Sequence, residues 1–161
     1  MAEENRVTTI VNFHEWKFRA EVNETQKAYS SDLLKGAEAC TCLYCRNLVA
    51  QREKEYPLEL CAFLEAVGVN PFKEAEVWSV PSNKDGLCFS VGYWYFIAEV
   101  EEEGDSEFKI DPNKERENGE WHLAITPGAT TWMCKALPES PIVQIEYNVN
   151  LPWVLSEAPP E

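Results

Sequence analysis

The stretch from Leu87 to Glu101 constrains the fold more than any other part of the sequence. Successive side chains of an extended chain point to opposite faces. The apolar residues of this stretch follow one another without regular polar residues between them, so they lie on both faces. A strand that is apolar on both faces is typical of the centre of a sheet, where both faces are covered. We therefore predict a long central strand here. Its large side chains are Phe89, Tyr93, Trp94, Tyr95, Phe96 and Ile97.

Alternating patterns elsewhere predict the remaining strands. Apolar residues alternate with polar ones over 143–149, which is the pattern of a strand with one buried face. Shorter stretches of the same kind predict strands at 7–13, 16–22, 77–80, 108–110 and 121–126. Asp85-Gly86 and Asn118-Gly119 are dipeptides typical of β-hairpin turns, so they favour antiparallel pairing.

The segment 42–76 predicts the helices. A helical pattern begins at Cys42, and Pro57 suits the first turn of a second helix, which Gly68 would end. The apolar stripe of that second helix is formed by Leu60, Phe63, Leu64 and Val67. Asn70-Pro71 predicts a short helical turn through Glu76, whereas the polar residues 23–31 predict a loop.

These elements predict an α+β fold, in which a two-helix segment at about 42–76 packs against a mostly antiparallel β-sheet. A chain of 161 residues has the length of one ordinary domain. We predict a single domain over residues 1–155, followed by a disordered acidic tail at 156–161.

The balance of charge bears on the class of partner. The chain has 28 acidic and 14 basic residues, and its formal net charge is −14. Such a surface repels phosphate groups, so neither nucleic acid nor an anionic membrane is expected as a partner. The polar start of the chain does not resemble a secretory signal, and no apolar run has the length of a membrane span. We therefore expect a cytoplasmic protein with reduced thiols.

Three cysteines lie within six residues in the sequence Cys40-Thr41-Cys42-Leu43-Tyr44-Cys45. In one interpretation they bind zinc, because two cysteines separated by two residues can converge on one tetrahedral ion and Cys40 could add a third sulfur. A fourth ligand would have to come from elsewhere in the chain. The candidates are Cys61, Cys88, Cys134, His14 and His122.

Two other interpretations of these cysteines stay open. In the first, Cys42 and Cys45 are a redox-active pair at the start of a helix, where the free N–H groups favour a thiolate. The preceding residues 32–36 are poor strand material, however, and thioredoxin-like sites follow a strand. In the second, the three cysteines only pack and cap the first turn of the helix.

The rest of the sequence carries no catalytic motif. The two histidines lack the partners at fixed spacing that a catalytic or metal-binding motif would show, and no phosphate-binding glycine loop is present. This favours a protein that is not an enzyme. Our leading hypothesis is an interaction protein that uses an acidic, aromatic-bearing face against a protein partner, with an exposed apolar patch beside acidic residues as its signature. Leu151–Leu155 could form an exposed apolar handle, but we expect this segment to fold back so that Trp153 packs on the sheet, because large apolar side chains are usually buried.

Three stretches carry a resemblance to a known family: Cys40-Thr-Cys-Leu-Tyr-Cys-Arg-Asn, Leu64-Glu-Ala-Val-Gly-Val-Asn-Pro-Phe-Lys-Glu and Leu151-Pro-Trp-Val-Leu. They resemble a family of small bacterial proteins of unknown function with a cysteine-rich segment, a helix ending in Gly-(Val/Ile)-(Asn/Asp)-Pro and a closing Leu-Pro-Trp. The resemblance implies that these stretches are signatures of one fold. It implies no activity and no catalytic residues.

Overall fold

The computed structural model describes residues 7–31, 36–82, 86–112, 119–129 and 141–160. Within these ranges the chain forms seven strands and three helices. The predicted turn residues Asp85 and Asn118 and the candidate ligand Cys134 lie outside them. The elements in chain order are β1 (Thr9–Phe13), β2 (Trp16–Ala20), α1 (Val22–Tyr29), α2 (Leu43–Glu55), α3 (Leu58–Ala66), β3 (Glu76–Pro81), β4 (Leu87–Glu102), β5 (Glu107–Ile110), β6 (Trp121–Pro127) and β7 (Ile142–Pro152).

The strands form one antiparallel sheet in the order β1-β2-β4-β7-β6-β5, and β3 pairs with β4 as well. On one side, β4 pairs with β7 from Leu87 to Ile97. On its other side, β4 pairs with β3 through residues 88–93 and with β2 through residues 98–102. The predicted α+β fold with a mostly antiparallel sheet is therefore confirmed, and the long aromatic stretch is its central strand.

The prediction of a loop over residues 23–31 is wrong, because this stretch contains α1. The helix covers the part of the β4 edge that lies between β2 and β3. The Ile97 N–H donates to Thr25 Oγ1 at 3.1 Å, and the Tyr29 hydroxyl bonds both the N–H and the carbonyl of Tyr95. These side chains replace a neighbouring strand as hydrogen-bond partners for the β4 backbone.

The predicted helical turn from Asn70 through Glu76 is only partly present. The chain makes one turn, in which the Lys73 N–H donates to the Asn70 carbonyl, and then becomes extended. The Ala75 N–H donates to the Tyr93 carbonyl at 2.8 Å, so this stretch joins the sheet one residue before β3 begins. Pairing with β4 therefore overrides the local helical preference.

Helices α2 and α3 pack on one face of the sheet. Phe63 of α3 stacks on Phe13 with ring centroids 4.3 Å apart, and it meets Phe96 edge-on. At the end of α2, the ring of Tyr56 lies against three buried aromatic rings of the sheet. Those three rings belong to Trp94, Trp121 and Tyr147. The aromatic core thus fixes both helices on the sheet and sets the position of the first turn of α2.

A buried ion pair joins α2 to the chain that leads into β3. The Arg52 side chain is 3% exposed, and its Nη1 lies 3.0 Å from both oxygens of the fully buried Glu74 carboxylate. The Tyr56 hydroxyl and the Ala37 N–H donate to the same carboxylate. The Arg52 Nη2 also contacts Glu38, which is largely exposed. The hydrogen bonds compensate the burial of this charge pair.

Candidate metal centre

The backbone around the cysteines brings the three thiols to one end of α2. A short 3-10 turn at Ala37–Ala39 ends in extended chain at Cys40, and Cys42 is the N-cap residue of α2. The Cys42 sulfur accepts a hydrogen bond from the Cys45 N–H at 3.4 Å. Cys42 thus takes the place of the serine or aspartate that usually caps a helix, because its sulfur meets one of the free N–H groups of the first turn.

The three sulfur atoms lie within 4.8 Å of one another. Cys40 Sγ and Cys42 Sγ are 3.2 Å apart. Cys40 and Cys42 are exposed, whereas Cys45 is buried, and all three are free thiols. Two sulfurs bound to one tetrahedral ion at the usual Zn–S distance would be about 3.8 Å apart. The cluster is therefore close enough to hold one metal ion.

The two thiols of the Cys42–Cys45 pair differ in acidity. Partial burial acts to raise the pKa of Cys42, but hydrogen bonds from the Cys45 N–H and the neighbouring thiols outweigh it, and the pKa is lowered. Burial raises the pKa of Cys45 well above its ordinary value, and hydrogen bonds to the neighbouring thiols add to the increase. The exposed thiol of the pair is the more readily ionised one.

The C-terminal segment holds α2 in place close to the cysteines. The side-chain amide of Asn47 donates to the Pro152 carbonyl, and its oxygen accepts from the Val154 N–H. Arg46 pairs with Glu157, and Trp153 meets the ring of Tyr44 edge-on at 5.9 Å. Trp153 therefore packs against the first turn of α2. The Cys-Arg-Asn and Leu-Pro-Trp stretches contact each other in the fold.

The other candidate ligands do not join the cluster in the part of the chain that is described. Only the three clustered cysteines bring their ligand atoms together there, so Cys61, Cys88, His14 and His122 are separate from them. His14 lies in the turn between β1 and β2, where its Nε2 is 3.5 Å from Glu59. Burial raises the pKa of Cys61 to about 11, as expected for a thiol that packs.

Sequence reasoning did not identify Arg46 and Asn47 as residues that support the site. Both residues belong to the Cys40–Asn47 stretch that carries the family resemblance, and this resemblance is the one feature of the sequence that could have pointed to them. Their role depends on contacts with residues more than a hundred positions away, which local spacing does not reveal.

The fold and the site define an α+β protein with a cluster of two exposed cysteines and one buried cysteine at the start of a helix. Comparisons with protein-family models, with curated proteins and with solved structures find no match. The resemblance to a family of small bacterial proteins therefore stays a prediction, as do the domain limits. Among the described residues, no helix is long and apolar enough to cross a membrane.

Proposed function

We propose that this protein binds a thiophilic metal ion, zinc, through Cys40, Cys42 and Cys45. The observation that carries the proposal is the convergence of the three sulfur atoms within 4.8 Å. Thiolate ligands favour zinc over magnesium or calcium, which prefer oxygen. The hydrogen bond from the Cys45 N–H to the Cys42 sulfur supports a thiolate ligand at that position.

The described residues supply three ligands, which is fewer than a closed structural zinc site uses. Structural sites usually have four, whereas sites with three protein ligands keep one position for water or another molecule. Cys40 and Cys42 are exposed, so solvent has access to this side of the cluster. We infer a metal site that is open on its solvent side, with Cys45 as its buried ligand.

The test is zinc content after reduction, loading and removal of excess metal. We expect one zinc ion per chain in the unchanged protein and none in Cys42→Ser. The matched control is Cys61→Ser, which removes a half-buried thiol outside the cluster and should keep the ion. No zinc in the unchanged protein, or equal loss in both variants, would contradict the proposal.

A second candidate function is dithiol–disulfide exchange by Cys42 and Cys45. It is favoured by the pairing of an exposed thiol at a helix N-cap with a buried thiol one turn later. The Cys42 thiolate would attack a substrate disulfide and release one substrate sulfur as a thiolate. Cys45 would then lose its proton to that thiolate and attack Cys42 Sγ. Two electrons pass to the substrate, which leaves as two thiols, and a Cys42–Cys45 disulfide forms.

Alkylation of the metal-free protein tests this second function. Cys42 should react with iodoacetamide much faster than Cys61 and Cys88, whose thiol pKa values are raised by burial. A small disulfide should also convert the protein to a form linked between Cys42 and Cys45. Slow and equal alkylation of all the thiols would dismiss the exchange function and leave zinc binding unaffected.

A further inference from the structure

The sheet face opposite α2 and α3 carries a regular arrangement of side chains. Because side chains alternate along each strand, Trp78 and Val80 of β3 lie on this face together with Glu76. Cross-strand pairing continues from Glu76 across five of the seven strands of the sheet. The resulting row contains Glu76, Tyr93, Glu146, Ala124 and Glu107, on β3, β4, β7, β6 and β5. We call this surface the acidic–aromatic face.

The β3 end of the acidic–aromatic face is apolar. Trp78 is 45% exposed and Val80 is 43% exposed, although both are large apolar side chains. The half-buried ring of Phe89 lies beside them, with its centroid 6.2 Å from that of Trp78. Single exposed apolar residues are common on protein surfaces, but neighbouring ones that form a patch mark a place for a partner.

The other end of the face is an acidic groove of about 360 Å³ over β5, β6 and β7. Glu107 and Glu146 line it from opposite sides, and the small side chain of Ala124 lies between them. No lysine or arginine in the described ranges pairs with either carboxylate, and Lys109 in the same groove lies near Glu120. Burial and the nearby Glu107 raise the pKa of Glu146. Within the described ranges the groove therefore holds two carboxylates without an ion-pair partner, although Lys109 also lines it.

We propose that the acidic–aromatic face binds a basic segment of a partner protein, with an arginine or lysine in the Glu107–Glu146 groove and an apolar side chain against Trp78 and Val80. Arginine and apolar anchors beside each other are typical of protein interfaces. The inference does not depend on the cysteine cluster.

The dimensions and charge of the face favour this occupant over others. Five strands at a spacing of about 4.8 Å make the row about 19 Å wide, which corresponds to about six residues of extended chain. A small cation would occupy the groove and leave Trp78 and Val80 uncovered. A second copy of this chain would bring another net charge of −14, and nucleic acid would bring phosphates, so both are repelled.

The test is fluorescence anisotropy with a labelled octapeptide that has arginines in one half and leucines in the other, so that side chains of both kinds can face the sheet. We expect saturable binding to the full chain, and about tenfold weaker binding to the double variant Glu107→Gln/Glu146→Gln. The matched control is Glu53→Gln/Glu65→Gln, which removes the same charge from exposed positions on α2 and α3 and should bind normally. Trp78→Ser should weaken binding of the peptide. If this variant does not fold, Val80→Ser replaces it and should also weaken binding.

Two further peptides and one further variant separate the possible outcomes. Replacing arginine by glutamate in the peptide should abolish binding, and replacing leucine by serine should weaken it several-fold. Cys42→Ser should bind the peptide normally, so failure of the metal proposal would not affect this result. Equal weakening by both double variants would show attraction to net charge alone and would overturn the proposal. So would a dimer of the unchanged protein that Trp78→Ser dissociates.

Discussion

Gly92 lies on the central strand directly under the ring of Tyr147. A Cβ atom at position 92 would lie 2.4 Å from Tyr147 Cε1, which is much closer than van der Waals contact allows. The ring cannot move away easily, because it is fully buried and packed against Trp94 and Trp121. Individual residues of the core are thus fixed by the shapes of their neighbours.

We predict that Gly92→Ala lowers the free energy of unfolding by about 1–3 kcal/mol, because the added methyl group overpacks the core. Urea denaturation followed by tryptophan fluorescence measures this change. An unchanged denaturation midpoint would show that the Tyr147 ring has room to shift, contrary to the packing described.

A second residue-scale prediction concerns Glu146 and pH. Its pKa is raised by burial and by Glu107, so the folded chain holds the ionised carboxylate less favourably than the unfolded chain does. Above the folded pKa, the ionised Glu146 lowers the free energy of unfolding. This loss shrinks as the pH falls through the folded pKa, and it is gone below the pKa that Glu146 has in the unfolded chain. Glu146→Gln should therefore be more stable than the unchanged protein at pH near 7 and equally stable below about pH 4. Thermal denaturation at both pH values measures this, and a less stable variant at neutral pH would contradict it.

At the scale of elements, α2 is the helix that connects the site to the rest of the fold. The cysteines lie at its N-terminal end, and Asn47 in its second turn contacts the C-terminal segment. Arg52 lies in its last turn, and Tyr56 is its C-cap residue. The buried Glu74 carboxylate receives hydrogen bonds from both of these last residues. The position of the thiols therefore depends on contacts at both ends of the helix.

We predict that Glu74→Gln lowers the free energy of unfolding by about 3–5 kcal/mol, because it leaves the buried Arg52 charge with only the exposed Glu38 carboxylate as a partner. Glu38→Gln is the matched control: this carboxylate contacts the same arginine but is largely exposed, so its loss should cost less than about 1 kcal/mol. Chemical denaturation of both variants makes the comparison. Equal effects of the two changes would contradict the role of the buried pair.

Helix α1 illustrates what local sequence cannot reveal. Only Thr25, Ala28 and Tyr29 are buried in its eight residues, so it has no long apolar stripe, and its polar composition predicts a loop. It forms because its side chains satisfy backbone groups of Tyr95 and Ile97 about seventy positions away. By contrast, β4, β7 and α3 carry their full pattern locally, and their positions could be predicted.

At the scale of the whole molecule, the sheet separates two surfaces. The helices and the cysteine cluster lie with one face, and the row of glutamates with Trp78 lies on the other. The cysteines could be identified as a candidate site from their spacing alone. The sequence predicted that an acidic face with aromatic residues would exist, but it did not predict which residues form it. Those residues come from five strands, and only the register of the strands brings them together.

Native mass spectrometry of the reduced chain, with zinc and then with chelator, tests the central claim most directly. Metal binding by Cys40, Cys42 and Cys45 predicts a mass increase of one zinc ion that chelator removes, and no increase in a variant with all three cysteines changed to serine. A chain that keeps its metal-free mass in the presence of zinc would contradict the account. So would a variant without these cysteines that still binds one zinc ion.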